Sequence, residues 1–233
     1  ASLSTITWTL GAYFMFKALK IGQVSRVIPI IGTLIPLILL GVASGTNAVS
    51  LPQVWAVGVL IVGMIFLTIT DWQGALKPKE LIFEILSAVC FAISYIVLRE
   101  AYLKLDFFSV LIWSRLILFP LGILIFAMPA LRRKIITSHG LRVNFLSYEG
   151  AVFIGGQLSG AASEFLLLFS ISLANPALVN SLQGTQYAFL FIFSLFLARR
   201  YPSVFTEKLT SKTVSSKLTG IVLIGLGLFL LVR

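Results

Sequence analysis

Of 233 residues, 58% are hydrophobic and only 11% charged, and the mean hydropathy is +1.03; so little charge would leave a soluble surface of this size unsolvated, which excludes an ordinary soluble domain. The net charge of +10 does not point to nucleic acid, because the Lys and Arg residues sit at the ends of apolar runs and form no aromatic-interleaved basic stripe. Cys90 and His139 are single, so a disulfide framework and a Cys-rich metal site are both excluded, and no cofactor is expected.

Apolar runs of around twenty residues alternate with short basic segments along the chain. Each such run is long enough to cross a bilayer as one helix with its own backbone bonds satisfied. The pattern predicts an all-α polytopic membrane protein of about eight transmembrane helices and no soluble domain. They cover Leu3–Ala18, Gly22–Ala43 (containing Pro29 and Pro36), Pro52–Ile69, Glu80–Leu98, Phe107–Met128, Tyr148–Leu173, Ala177–Ala198 and Ser215–Val232. The longest connections, Pro129–Ser147 and Arg199–Val214, are basic and predicted to be solvated.

An internal repeat is visible. The third helix contains Gly58-Val-Leu-Ile-Val-Gly63 and the eighth Gly220-Ile-Val-Leu-Ile-Gly225. Each is followed by an apolar run ending in Phe-Leu, so helices one to three match helices six to eight. The offset is five helices, an odd number, so one copy is inverted relative to the other across the membrane. Inverted repeats let two similar halves exchange conformations and open one site to each side in turn. A five-helix unit needs two helices before the first one seen. The chain, which starts at Ala1 without an initiator Met, is therefore expected to be part of a longer one. Residues 1–72 would hold three helices of the first unit and residues 73–233 all five of the second.

Three stretches carry a family resemblance. Residues 13–40, YFMFKALKIGQVSRVIPIIGTLIPLILL, have an Ala-Leu-Lys turn followed by a helix with a central proline. The second is residues 176–232, with the closing segment EKLTSKTVSSKLTGIVLIGLGLFLL, and the third is Trp113-Ser-Arg115. In these the chain resembles the EamA-like branch of the drug/metabolite transporter superfamily. The resemblance implies a ten-helix, five-plus-five fold with cytoplasmic termini, and transport of metabolites, amino acids, nucleotide sugars or drugs. The Glu that the family often has past the fourth helix of each repeat is replaced by Gly41–Ser44 and Ala198-Arg199-Arg200, so its role does not carry over.

Polar residues inside the apolar runs are the candidate substrate-binding groups. Arg115 lies within the fifth helix and Glu164 within the sixth; ionisable groups at that depth are paired, wetted or functional. At about 1.5 Å per residue, both sit roughly 12–14 Å from the same membrane face, which predicts that they pair. The pair reads either as a structural ion pair or as a switch that substrate or a proton opens. Gln157 flanks a small-residue face of Gly156, Gly160 and Ser163. In the seventh helix Asn180, Gln183, Gly184, Tyr187 and Ser194 fall in one arc, lining either a wet cavity or a packing seam. The fourth helix presents Glu84, Ser87, Phe91, Ser94 and Tyr95 on one face, with packing the stronger reading there.

The motifs of metal proteases, phosphate loops and Ser–His dyads are absent, so no enzyme is expected. The leading expectation is a secondary transporter of a small metabolite, amino acid or drug-like molecule, working by alternating access. The alternatives are a membrane-embedded enzyme and a structural membrane protein. The expected partners are a small-molecule substrate and the lipid bilayer of the cell membrane, with proton or ion coupling possible and no nucleic acid. Fourteen Lys and Arg residues, including Lys17, Lys77, Arg132, Arg199 and Lys217, follow odd-numbered helices; three (Arg99, Lys104, Arg233) lie opposite. That bias places the odd loops in the cytoplasm and both visible ends outside, against the orientation the resemblance implies; the charge count, carried by this chain itself, outweighs it.

Overall fold

The structure, a computed structural model, describes residues 1–22, 24–46, 49–69, 77–129, 132–133, 148–182, 184–186, 188–189, 192–193 and 211–232. Every regular element among them is helical. In chain order these are α1 (Ser2–Leu19), α2 (Val24–Gly45), α3 (Leu51–Thr68), α4 (Pro78–Tyr102), α5 (Phe107–Leu116), α6 (Leu118–Ala127), α7 (Tyr148–Leu173), α8 (Pro176–Ser181) and α9 (Ser211–Val232).

Among the described residues three spans are long and apolar enough to cross a membrane: Pro78–Tyr102, Phe107–Leu124 and Gly150–Leu173. Ile30–Gly45, Leu51–Phe66 and Val214–Leu230 are shorter apolar helices. Large side chains such as Phe16, Phe108, Trp113 and Phe119 stand exposed. These features are compatible with an integral membrane protein, in which hydrocarbon covers such a surface.

Local chemistry explains several helix starts. Pro52 lies in the first turn of α3, where its missing N–H removes no helical bond, and Ser50 N–H donates to Gln53 Oε1 at 2.9 Å. Asn175 Oδ1 accepts from Ala177 N–H at 2.9 Å to start α8. The hydrogen-bond ladder of the expected helix over Phe107–Met128 is interrupted at Ile117, whose N–H turns to Arg115 O, but its backbone stays helical (φ −68°, ψ −20°) and Phe107–Leu124 continues as one apolar span. Pro120 lies just downstream; it has no N–H for Leu116 O, and its ring crowds that carbonyl. By contrast, α2 stays one helix through Pro29 and Pro36.

The chain groups into two compact units, Ala1–Thr5 with Val97–Leu173, and Ile6–Ile96 with Ala174–Arg233. In the larger unit, Val27, Ile31, Ile35, Leu39 and Ala43 recur every fourth residue and form the buried face of α2. Ala18 of α1, Ala88, Phe91 and Ala92 of α4, and Ala177 of α8 complete that core. Helices α1 and α4 cross closely at Gly11. A methyl group there would fall 3.1 Å from the Phe91 ring, and Ser87 Oγ donates to Gly11 O at 2.9 Å.

Helices α3 and α9, which carry the two matching glycine motifs, pack against each other. Phe66 O accepts from Ser216 Oγ at 2.8 Å. A methyl on Gly63 would fall 2.9 Å from Gly220 O, and one on Gly227 would meet Leu60. Numbers fall along α3 as they rise along α9, so the two helices are antiparallel.

Candidate functional site

The smaller unit builds a charged site from α4, α5 and α7. Asp106 starts α5: its side chain accepts from Ser109 N–H at 2.9 Å. Hydrogen bonds from the Ser109 side chain and backbone hold this exposed carboxyl below the usual carboxylate range. Two turns further on, Ser114 is buried and its carbonyl accepts from Thr5 Oγ1 at 2.8 Å. Arg115 follows, immediately before the interruption at Ile117.

Arg115 Nη2 donates to Glu164 Oε1 of α7 at 3.1 Å. The two side chains are 42% and 34% exposed, so the pair is reachable rather than sealed. Among the described residues only one guanidinium N–H is engaged, although the group has five donors.

An aromatic cluster adjoins the pair. Phe107 stacks on Tyr102 (centroids 5.7 Å apart, planes at 21°) and meets the edges of Phe165 and Phe169, each at 5.4 Å. The Tyr102 hydroxyl is buried with no hydrogen-bond partner among the described residues. Arg115 and Glu164 both lie within electrostatic reach of it. Arg99 Nη1 donates to Ile171 O and Ser172 O, two carbonyls of the last turn of α7 that have no helical donor. That guanidinium nitrogen is thus occupied by backbone.

The other predicted site residues are distributed differently. Gln157 is exposed on α7, where methyl groups at Gly155, Gly156 and Gly160 would meet nothing within 4 Å. Tyr95 is half-buried against the core of the larger unit. Asn180 is buried there, and its Nδ2 donates to Pro176 O at 2.9 Å within its own helix. Gln183, Tyr187 and Ser194 lie outside the described residues, as do His139 and Ala198–Arg200. The structure therefore joins Arg115 and Glu164, and adds Tyr102.

Three functional candidates went unseen in the sequence. Tyr102 follows Arg99-Glu100-Ala101 and reads as part of a solvated helix end; its only signal is the string of aromatics that begins there. Glu80 and Lys217 are buried, together with Glu84, Ser87 and Ser94, all in the larger unit. Lys217 corrects its assignment to the loop charges: it lies inside α9, beneath the surface. It follows four hydroxyl residues, Ser211, Thr213, Ser215 and Ser216, so hydropathy places it at an interface although the helix has already begun. Among the described residues no group of three or more His, Cys, Asp or Glu is arranged to hold a metal ion. No family model, curated protein or solved structure matches the chain.

Proposed function

We propose that this chain is the membrane-embedded part of a secondary transporter, related to the EamA-like family, that moves a small molecule by alternating access. The observation that carries the reading is the Arg115–Glu164 pair. Both residues sit near the middle of apolar spans, Phe107–Leu124 and Gly150–Leu173, yet more than a third of each side chain is uncovered. Uncovered charge facing hydrocarbon is strongly unfavourable, so that flank of the pair faces water, a ligand or another protein surface. A reachable charge pair at mid-membrane depth is what a transported polar molecule needs.

The antiparallel packing of α3 on α9 supports the inverted-repeat part of the reading. An odd helix offset requires the two matching segments to run in opposite directions. Under this reading the chain is multi-pass in the cell membrane with about eight spans, and it carries no enzymatic chemistry. The basic excess of the odd loops, one lysine smaller after Lys217 is withdrawn, sets its orientation.

The test is flux into sealed vesicles containing the full-length protein, with labelled amino acids, organic acids and organic cations as the panel. Saturable flux of at least one panel member, absent from empty vesicles, is expected. Identical flux with and without protein for every member contradicts the reading.

A further inference from the structure

Among the described residues, the donors around Arg115 outnumber the acceptors. Arg115 brings five N–H groups and Glu164 takes one of them. Tyr102 adds a buried hydroxyl with no partner among the described residues. A buried hydroxyl without a partner is unfavourable, and it is commonly satisfied by water or a ligand. Glu164 holds a single point of the guanidinium where a two-point grip is possible. Arg99 Nη1 is held by the carbonyls of Ile171 and Ser172 at the far end of α7, about two turns from Glu164. The surplus is therefore of donors around one cation, and the group that satisfies it is an anion with two acceptor oxygens.

Charge decides what accompanies that anion. Arg115 and Glu164 together are neutral. A carboxylate added to them would leave the site with one net negative charge at mid-span depth, which is unfavourable even with one flank wetted. Uptake of one proton removes it. The titratable groups facing Glu164 are Arg115 from α5 and Tyr102 from α4; of the two carboxylates then present, Glu164 is the one already held by the chain.

Resting on the transport reading, we propose that Arg115 and Tyr102 bind the carboxylate of a small organic acid, and that Glu164 takes up one proton as it binds. The Arg115 N–H bond to Glu164 Oε1 breaks, and bonds from Arg115 and the Tyr102 hydroxyl form to the two ligand oxygens. The proton comes from water and adds to a Glu164 carboxylate oxygen. Loading thus adds an anion and a proton, and the site remains neutral. Phe165, the neighbour of Glu164 on α7, is exposed and packs on the Phe107 ring, so an aromatic acid suits the site better than acetate.

The probe is benzoate, titrated calorimetrically into the full-length protein in lipid nanodiscs, in two buffers of different ionisation enthalpy. The buffer difference counts protons. About one proton per benzoate is expected at neutral pH. Glu164→Gln should bind benzoate with no proton uptake, since the amide imitates the protonated acid. Tyr102→Phe should weaken binding about fivefold through the lost hydrogen bond. Arg115→Leu strands Glu164, so Arg115→Lys is measured beside it and should weaken binding about tenfold, because an ammonium lacks the two-point fork. Benzamide, neutral and of the same shape, should not bind.

Absence of benzoate binding, equal binding of benzamide, or unchanged proton uptake in Glu164→Gln overturns the inference. Saturable vesicle flux of another panel member without benzoate binding overturns it while leaving the transport reading intact. Benzoate binding with proton uptake, but no flux of any compound, supports the site and contradicts transport.

Discussion

Arg115 Nη2 lies 3.1 Å from Glu164 Oε1, linking α5 to α7 across 49 residues of sequence. The contact joins two largely exposed helices, with Val110 and Ser114 the buried residues of α5. Removing one member leaves the other charge unmatched, whereas removing both leaves a leucine pair suited to the span. In the full-length protein, Arg115→Leu and Glu164→Leu should each lower the thermal midpoint in detergent more than the double variant does. The coupling should be about 1 kcal/mol, toward the lower end for ion pairs because solvent reaches both groups. Additive losses would show that the two residues do not support each other.

The packing of α3 on α9 makes a sharp contrast between two glycines. A methyl on Gly63 would fall 2.9 Å from the backbone oxygen of Gly220 and 3.0 Å from Ile224 N, neither of which can turn aside. A methyl on Gly58 would meet nothing within 4 Å. Gly63→Ala should therefore destabilise by about 1–3 kcal/mol as the helices are forced apart, and Gly58→Ala should be neutral or slightly stabilising. Denaturation in mixed micelles measures both. Equal effects would contradict the close approach.

Much of this arrangement is legible in the sequence. Arg115 and Glu164 interrupt apolar runs, and counting residues from the helix ends places them at one depth. Helix position follows from hydropathy and from Pro52, Asn175 and Pro176, whose chemistry is local. The interruption at Ile117 has its signal in Pro120. Hydropathy treats Pro120 like Pro36, which α2 accommodates, because tertiary packing decides whether a proline interrupts a helix. Lys217 and Glu80 were illegible for a related reason. Each lies at a polar helix start, and whether such a charge meets water or protein depends on what packs over it. Tyr102 reads as an ordinary interfacial aromatic until Phe107 is seen stacked on it.

The burial of Lys217 has a direct chemical consequence. Lys79 and Lys104 are exposed, whereas Lys217 is 2% exposed. Under mild acylation of the folded protein, Lys79 and Lys104 should modify readily and Lys217 should stay unmodified until the chain is denatured; peptide mass mapping reads this. Rapid modification of Lys217 in the folded state would return it to the surface charges.

Asp106 carries a pH signature at the start of α5. Its carboxyl is held below its ordinary value of 3.8 by hydrogen bonds from Ser109. The ionised cap is thus favoured in the folded state. Its contribution is complete above the unfolded value and is lost as pH falls through the folded one. The Ser109 amide resonance should titrate with a midpoint below 3.8, and Asp106→Asn should keep the cap while abolishing the titration. A midpoint at or above the ordinary value would contradict the hydrogen-bonded cap.

In the proposed transporter the Arg115–Glu164 pair lies on the transport path. The decisive measurement is the initial rate of saturable vesicle flux for Arg115→Leu/Glu164→Leu against the unaltered full-length protein, at equal amounts of folded protein. With no stranded charge in the double variant, lost flux reports the path and not the fold. The rate should fall by about tenfold or more. A rate within about twofold of the unaltered protein would make the pair a structural tie and contradict the account.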